Sequence, residues 1–261
     1  MLVVGLIGAG VVVRNALQSG GPAKAGAPCQ VTATSKTYGL DVAQAANTTT
    51  VTAVGKRLGM PDHAVSIALA TAFLESGLHN LTHGDRDSVG LFQQRPSQGW
   101  GTAAQILTPH YAAAAFYQHL AKVPGWQTLA VTDAAQRVQR SALPHGYAQF
   151  EPEGRALAIA TTGEVAAGLS CRAAIPATAP ARSLRQATTQ ELGAPALGVA
   201  LAPARGWTVA SWLVAHAVEL RITSVAYGGL RWSPSTGRWQ PDLSAGTVVD
   251  IVRTPAAAAV P

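Results

Sequence analysis

Glu75 is the residue whose type and position are best suited to acid–base chemistry. It is the only acidic residue between Asp62 and Asp85, and it follows Phe73 and Leu74 in the most apolar helical segment of the chain. Burial and the negative end of the helix dipole would both raise the pKa of a carboxyl group placed there. A glutamate that stays protonated near neutral pH can act as a general acid. The alternative is a side chain that reaches solvent from the helix end.

A helix that starts at Pro61 and ends at Gly77 must position this glutamate. Proline is favoured in the first turn of a helix, and glycine readily adopts the left-handed conformation that ends one. Small residues precede Glu75 on its own helical face: Ala68, Thr71 and Ala72. Because these side chains are short, we expect a groove in front of the carboxyl group.

Two short motifs around Glu75 resemble those of a known family. Glu75-Ser76, followed by the Gly-Leu-Phe-Gln run of residues 90–93, resembles the Glu-Ser and Gly-Leu-Met-Gln motifs of the lysozyme-like superfamily. The resemblance is greatest to lytic transglycosylases and goose-type lysozymes, and the context SVGLFQQRPSQGWG is similar to a transglycosylase-like branch of actinobacterial cell-wall proteins. It covers about residues 40–167. It implies a mainly helical domain with the glutamate at the end of its core helix, facing a glycan cleft.

One segment departs from the family pattern. The family's usual Ala-Tyr-Asn-x-Gly segment is absent, and residues 138–142 (VQRSA) stand in its place. The sugar contacts that the family makes through that segment are therefore not implied for this chain.

The resemblance implies roles for five residues. Glu75 would be the catalytic acid and base, and Tyr147 would hydrogen-bond near it and hold its orientation. Ser76, Gln93 and Gln94 would bind substrate, orienting the sugar or the acid through hydrogen bonds. The alternative for each polar residue is that it satisfies local backbone groups.

A second carboxylate would decide between two reactions. Two-carboxylate glycosidases place a nucleophile or base opposite the acid, and Asp85 and Asp87 are the candidates because the family's cleft has this stretch as its other wall. Transglycosylases instead let the muramic acid 6-hydroxyl attack, so that one glutamate serves as acid and then base. Asp85 and Asp87 could equally be turn residues paired with Arg86 or Arg95. We favour this structural interpretation, and with it the transglycosylase reaction.

Histidines and aromatic residues offer weaker signals. His79 and His83 are four residues apart, but Gly77 ends the helix before them, so they do not share a helix face, and we expect neither a metal nor a cofactor. Tryptophans such as Trp100 and Trp126 could stack on sugar rings, and Trp232 and Trp239 could do so in the C-terminal part. Aromatic residues at such spacings more often pack in a core, which is how we interpret them.

The composition excludes several function classes. With 48% hydrophobic and 12% charged residues, the chain is neither a disordered tail nor a multispanning membrane protein. Acidic and basic residues balance over residues 35–171, and the basic excess falls at the two ends. The C-terminal arginines are scattered singly, which argues against a nucleic-acid partner and leaves an anionic wall polymer as a candidate partner of that part.

The N-terminus and the cysteines indicate export. Leu2–Val13 is an apolar run of signal-peptide length, so residues 1–34 are interpreted as a signal peptide or short anchor plus linker. Cys29 and Cys171 are the only cysteines and predict one disulfide. The alternative, a cysteine nucleophile, lacks a helix N-terminus to lower the thiol pKa. We expect an extracytoplasmic protein, secreted or anchored at the outer face of the membrane and associated with the cell wall.

The fold class predicted is a mainly α lysozyme-like domain, α+β with a small hairpin, followed by a small α+β domain. The lysozyme-like domain spans residues 35–171. Residues 172–195 are rich in Pro, Ala and Thr and predict a linker. Residues 196–254 predict a small α+β domain of unassigned role, with a helix over 207–220 and four short strands.

These observations favour an exported enzyme that cuts peptidoglycan glycan strands between N-acetylmuramic acid and N-acetylglucosamine. The alternative is a non-catalytic wall-binding, secretion or conjugation scaffold that keeps the cleft. Glu75 favours the enzyme, because a scaffold has no use for a carboxyl group at an unfavourable helix end.

Overall fold

The computed structural model describes residues 27–33, 36–141, 146–176, 182–193 and 195–254, and the predicted export signal lies outside these ranges. The described chain is an α+β protein with two small antiparallel sheets. Its helices are α1 (Val42–Arg57), α2 (Asp62–Ser76), α3 (Ala103–Ile106), α4 (Pro109–Leu120), α5 (Val131–Gln139), α6 (Glu151–Thr162), α7 (Leu184–Glu191), α8 (Pro203–Ala215) and α9 (Ala217–Leu220). Its strands are β1 (Cys29–Ala33), β2 (Lys36–Leu40), β3 (Leu169–Cys171), β4 (Ile222–Tyr227), β5 (Leu230–Ser233), β6 (Arg238–Pro241) and β7 (Asp250–Arg253).

The central helix α2 begins and ends where the sequence predicts. Pro61 is its N-cap residue, and Gly77 adopts a left-handed conformation with φ 62° at its C-terminus. The Gly77 N–H bonds to the carbonyl of Phe73, which satisfies the helix end. All residues of α2 are buried except Asp62, His63 and Glu75. Glu75 is therefore the one position in the C-terminal half of α2 whose side chain retains accessible surface.

The predicted disulfide is present, and it links two strands of a sheet that was not predicted from the sequence. Strand β1 pairs with β2 on one side and β3 on the other, and Cys29 lies directly opposite Cys171 in the β1–β3 register. Residues 29–33 were predicted as linker, and they are instead a strand whose alternate residues are buried. None of the helices in the described ranges is both long and apolar enough to cross a membrane.

The loop between α2 and α3 replaces a predicted hairpin. It contains a single antiparallel bridge, between Val89 and Gln94, and a 3₁₀ turn at Pro96–Gln98. Positive φ angles at Arg86 and Gln93 turn the backbone too sharply for paired strands to extend. Helix α5 ends at Gln139, because Arg140 takes the left-handed conformation.

The C-terminal part packs against the rest of the described chain. Its sheet has the order β6-β5-β4-β7, close to the four strands predicted. Trp232 donates its indole N–H to the carbonyl of Cys171 at 3.1 Å, and Trp239 donates to the carbonyl of Leu169 at 2.9 Å. Both tryptophans therefore join this sheet to β3, as packing residues. One apolar cluster runs from β1 through α2 to α8 and β4.

The predicted linker contains helix α7, whose last residue is buried against both parts of the chain. Glu191 accepts hydrogen bonds from Thr50 Oγ1 at 2.6 Å, Trp212 Nε1 at 2.8 Å and Arg182 at 2.6 Å. His216 lies 3.8 Å from the same carboxylate. A linker prediction at residues 184–191 is therefore wrong, because this polar cluster fixes the segment in the interior.

Candidate active site

Close packing of two helices brings the site together. A Cβ atom at Gly154 on α6 would lie 2.8 Å from Cβ of Ala70 on α2, so only glycine permits this approach. The rings of Phe73 and Phe150 pack next to it with centroids 5.2 Å apart. The segment that precedes α6 is thereby held against the C-terminal end of α2, where Glu75 lies.

Tyr147 in that segment contacts the predicted acid directly. Its hydroxyl donates a hydrogen bond of 2.6 Å to Oε1 of Glu75. Tyr147 is fully buried, whereas Glu75 retains a minority of its accessible surface. The tyrosine therefore orients the carboxyl group from inside the protein and leaves its outer side open. This is the relationship that the resemblance implied for the two residues.

The environment keeps the carboxyl group of Glu75 protonated to higher pH than usual. Burial raises the pKa of Glu75, and hydrogen bonds from Tyr147 and Gln139 offset this only in part. Burial and the neighbouring carboxylate also raise the pKa of Tyr147. The tyrosine therefore keeps its proton, and remains a hydrogen-bond donor, to higher pH than an ordinary tyrosine.

Gln139 is a site residue that sequence reasoning did not name. Its side-chain amide donates to the carbonyl of Phe92 at 2.7 Å and also hydrogen-bonds the Glu75 carboxyl group. Gln139 belongs to the VQRSA segment, which stands where the resemblance leads one to expect Ala-Tyr-Asn-x-Gly. That position was the one signal in the sequence that could have indicated a role at the site. Gln139 connects the Gly-Leu-Phe-Gln loop to the acid and is the second side chain that orients it.

Ser76 contacts two backbone carbonyls, and its expected contact with substrate stays a prediction. Its hydroxyl is buried and lies 2.7 Å from the carbonyl of Leu91 and 3.1 Å from that of Ala72. The two residues of the Glu-Ser pair therefore have different roles. Glu75 faces outward at the site, while Ser76 holds the Gly-Leu-Phe-Gln loop against the end of α2.

The two glutamines of the loop are likewise occupied by backbone contacts. The Gln93 amide nitrogen lies 3.1 Å from the carbonyl of Gly90, and its oxygen accepts from Ser88 at 3.2 Å. Gln94 is buried and donates to the carbonyl of Ala112 at 3.1 Å. The Gln93 contacts shape the loop, and the Gln94 contact attaches the loop to α4. The role of both side chains in substrate binding stays a prediction.

The structure separates the two candidate second carboxylates by environment. Asp87 accepts from Arg95 Nε at 2.8 Å and from the backbone N–H and hydroxyl of Ser97 at 2.8 and 3.0 Å. These hydrogen bonds, the one from Arg95 first, lower the pKa of Asp87 well below its ordinary value. Asp85 lies on the surface with 75% of its side chain exposed. Asp87 is thus the turn carboxylate that the alternative interpretation described.

The histidines near the site form separate contacts. His79 Nε2 lies 2.8 Å from Asp41, and His63 Nε2 lies 3.1 Å from the carbonyl of Leu129. Within the described ranges, no three His, Cys, Asp or Glu side chains converge in a way that could hold a metal ion.

Gln139 lines a cavity of about 500 Å³, and Glu75 is not among the residues that line it. Trp100, interpreted from the sequence as a core residue, lines it and packs against His119 in a tilted arrangement with ring centroids 4.0 Å apart. Trp126 is buried as expected. A volume of this size accommodates a sugar or a short peptide.

Comparison with protein-family models finds none that matches this chain, and comparison with curated proteins finds no match either. The functional conclusion therefore depends on the geometry of the site and on the motifs around it.

Proposed function

We propose that this protein is an exported peptidoglycan-cleaving enzyme of the lytic transglycosylase type, with Glu75 as its general acid and base. One observation carries the proposal. Glu75 lies in the last turn of the buried helix α2, where burial raises its pKa and hydrogen bonds from Tyr147 and Gln139 orient its carboxyl group. Gln139 also lines a cavity of about 500 Å³. Perturbed carboxyl groups held in this way are typical of acid–base catalysts.

The first chemical step is protonation of the glycosidic oxygen between N-acetylmuramic acid and N-acetylglucosamine. Oε1 of Glu75 accepts the hydrogen bond from Tyr147, so we assign the transferable proton to Oε2. The proton moves to the leaving oxygen as the bond to the anomeric carbon breaks. Glu75 is then a carboxylate, which the two retained donors stabilise.

The second step reuses Glu75 as a base. The Glu75 carboxylate accepts the proton of the muramic acid 6-hydroxyl, while the oxygen of that hydroxyl bonds to the anomeric carbon. The products are a 1,6-anhydro sugar and neutral Glu75. The hydrogen bonds to Asp87 support this route over a two-carboxylate hydrolysis. Arg95 and Ser97 use the lone pairs of the carboxylate that a nucleophile would need.

The proposed location follows from the substrate and the disulfide. The Cys29–Cys171 bridge is compatible with an oxidising, extracytoplasmic compartment. We propose that the protein acts there, secreted or anchored at the outer face of the membrane, with peptidoglycan glycan strands as its partner.

Digestion of purified peptidoglycan by wild type and Glu75→Gln, followed by mass spectrometry of the released muropeptides, tests the proposal. We expect anhydro-muramyl products from wild type and loss of release, by a factor of about 1,000 or more, from the variant. Glu151→Gln is the matched control, because Glu151 is an exposed glutamate in the first turn of α6. Reducing-end products would indicate a hydrolase, and no release by wild type would favour the scaffold.

A further inference from the structure

The cavity that Gln139 lines is cationic and partly aromatic. Six side chains give it that character, and all come from α4, α5 and the loops beside them: Trp100, His119, Lys122, Arg137, Gln139 and Arg140. Three are permanently cationic, and no acidic residue lines the cavity. The cavity lining is therefore positively charged, whereas acidic and basic residues balance over residues 35–171 as a whole.

The cations of the cavity are not neutralised within the protein. All acidic residues of the chain lie in the described ranges, and the ion pairs there do not involve Lys122, Arg137 or Arg140. Arg137 contacts the carbonyl of Pro124 at 3.4 Å, which leaves its charge uncompensated. Three uncompensated cations around one concave surface create a positive potential that attracts anions.

The backbone at Arg140 supports the same interpretation. This residue ends α5 in the left-handed conformation with φ 51°, where glycine would be free of strain. The side chain that incurs this strain lines the cavity. Non-glycine residues in this conformation occur preferentially where the side chain has a role.

An apolar surface completes the site. Trp100 and His119 form a tilted ring pair, and Val123 and Val138 also line the cavity. His119 Nδ1 lies 2.9 Å from the carbonyl of Ala115, which fixes the ring on its helix. The cavity therefore combines flat and aliphatic surfaces with cationic groups, a combination that fits an amphipathic anion better than a free inorganic ion.

Gln139 places this cavity next to the scissile bond. The same side chain lines the cavity and hydrogen-bonds Glu75. A ligand group bound there would be attached close to the sugar whose glycosidic oxygen receives the proton. In a peptidoglycan strand the backbone sugars are uncharged, and the anions nearest to them are carboxylates of the stem peptide on muramic acid.

We infer that this cavity binds carboxylate groups of the stem peptide, so that the enzyme prefers peptide-bearing strands over bare glycan. The inference rests on the proposed function and names the part of the substrate that its site recognises. Arg137 and Arg140 supply planar donors that match a carboxylate, and Lys122 supplies a point charge. Trp100 packs against the aliphatic parts of the peptide.

The test measures binding separately from cleavage. The full chain carrying Glu75→Gln is titrated by calorimetry with two kinds of soluble glycan fragment. One kind carries stem peptides; in the other an amidase has removed them, and the lactyl carboxylate that this exposes has been converted to a methylamide. The same titrations are repeated after adding Lys122→Gln and Arg140→Gln. Arg185→Gln with Arg238→Gln is the matched control, because both arginines are exposed and lie outside the cavity.

We expect the cavity variant to lose affinity for peptide-bearing fragments by about tenfold or more, with affinity for stripped fragments unchanged. The control variant retains both affinities. Equal loss on both fragments, no loss on either, or failure of the peptide-bearing fragments to bind would overturn the inference. Equally tight binding of a glycerol-phosphate oligomer through Lys122 and Arg140 would overturn the assignment to carboxylates.

Cleavage by the chain with Glu75 intact separates the two proposals. If wild type releases anhydro products and the cavity variant cleaves both substrates as wild type does, the inference about the peptide is wrong and the proposed function stands. If wild type cleaves neither substrate, the proposed function is wrong whatever the titrations show.

Discussion

Tyr147 donates a 2.6 Å hydrogen bond to Oε1 of Glu75 across 72 positions of sequence, from a side chain that is fully buried. The bond has two consequences. It selects the oxygen that remains available for proton transfer, and it lowers the pKa of Glu75 against the upward effect of burial. Both consequences can be measured.

Removal of the Tyr147 hydroxyl should change the pH profile as well as the rate. We expect Tyr147→Phe to lower kcat/KM by about 10- to 100-fold, since one hydrogen bond to an ionisable group contributes about 1.5–3 kcal/mol. The pKa of Glu75 should rise because a lowering hydrogen bond is lost, so the alkaline limb of kcat/KM should move to higher pH. Tyr117→Phe is the control, because the Tyr117 hydroxyl donates to the carbonyl of Val51 inside the core. A limb that stays in place or moves to lower pH would contradict the assigned role.

Gln139 should affect both the acid and the loop. Gln139→Met keeps the side-chain length but removes the donor to Glu75 and to the carbonyl of Phe92. We expect the alkaline limb to shift upward, and we expect stability to fall by about 1–2 kcal/mol because a buried carbonyl loses its partner. Gln136→Met, a neighbouring glutamine on α5 that donates to the carbonyl of Ser141, is the control for loss of an amide. Loss of stability without a shift in the pH profile would indicate a structural role alone.

The two loop aspartates should not determine the products. Asp85→Asn and Asp87→Asn should both leave the anhydro-muramyl product unchanged in mass spectrometry. Asp87→Asn should lower the melting temperature, because the Asp87 carboxylate accepts hydrogen bonds from Arg95 and Ser97. Since the pKa of Asp87 is lowered in the folded state, its contribution to stability is present above the unfolded pKa and is lost only as pH falls through the folded value. A change from anhydro to reducing ends in either variant would contradict the single-carboxyl mechanism.

The buried cluster around Glu191 should govern the stability of the whole chain. Burial alone would raise the pKa of Glu191, but His216, Thr50, Trp212 and Arg182 together lower it. Its contribution is therefore present above the unfolded pKa and decreases as pH falls.

We expect Glu191→Ala to reduce the free energy of unfolding by about 3–5 kcal/mol, because it leaves Arg182 and buried polar groups without their partner. Glu219→Ala, at the partly exposed edge of the same cluster, should cost less than about 1 kcal/mol. Urea unfolding monitored by tryptophan fluorescence measures both values. Two separate transitions in wild type would contradict a single shared core.

The disulfide should stabilise the fold as a whole. Cys29→Ser with Cys171→Ser opens a loop of 142 residues and should lower stability by about 2–5 kcal/mol. Treatment of wild type with a reductant should lower the melting temperature to that of the double variant. No effect of the reductant on wild type would indicate that the bridge is absent in solution.

The sequence alone determined the local features of this protein. The course of α2 could be predicted because Pro61 and Gly77 have strong conformational preferences, and the upward shift of the Glu75 pKa followed from its apolar neighbours. The single pair of cysteines was sufficient to predict the disulfide. The helix predicted over 207–220 and the four predicted C-terminal strands correspond to α8 with α9 and to β4–β7, because hydrophobic periodicity and turn residues act over short distances.

Only the tertiary structure decided which residues surround the acid. Gln139 and Tyr147 reach Glu75 from positions far along the chain, because α6 packs closely on α2 through Gly154 and Ala70. The strand at Cys29–Ala33 and the burial of Glu191 depend on distant partners too, so both segments were predicted to be linkers. Contacts between residues far apart in sequence depend on how whole faces pack against one another, and composition and periodicity within one segment carry no record of them.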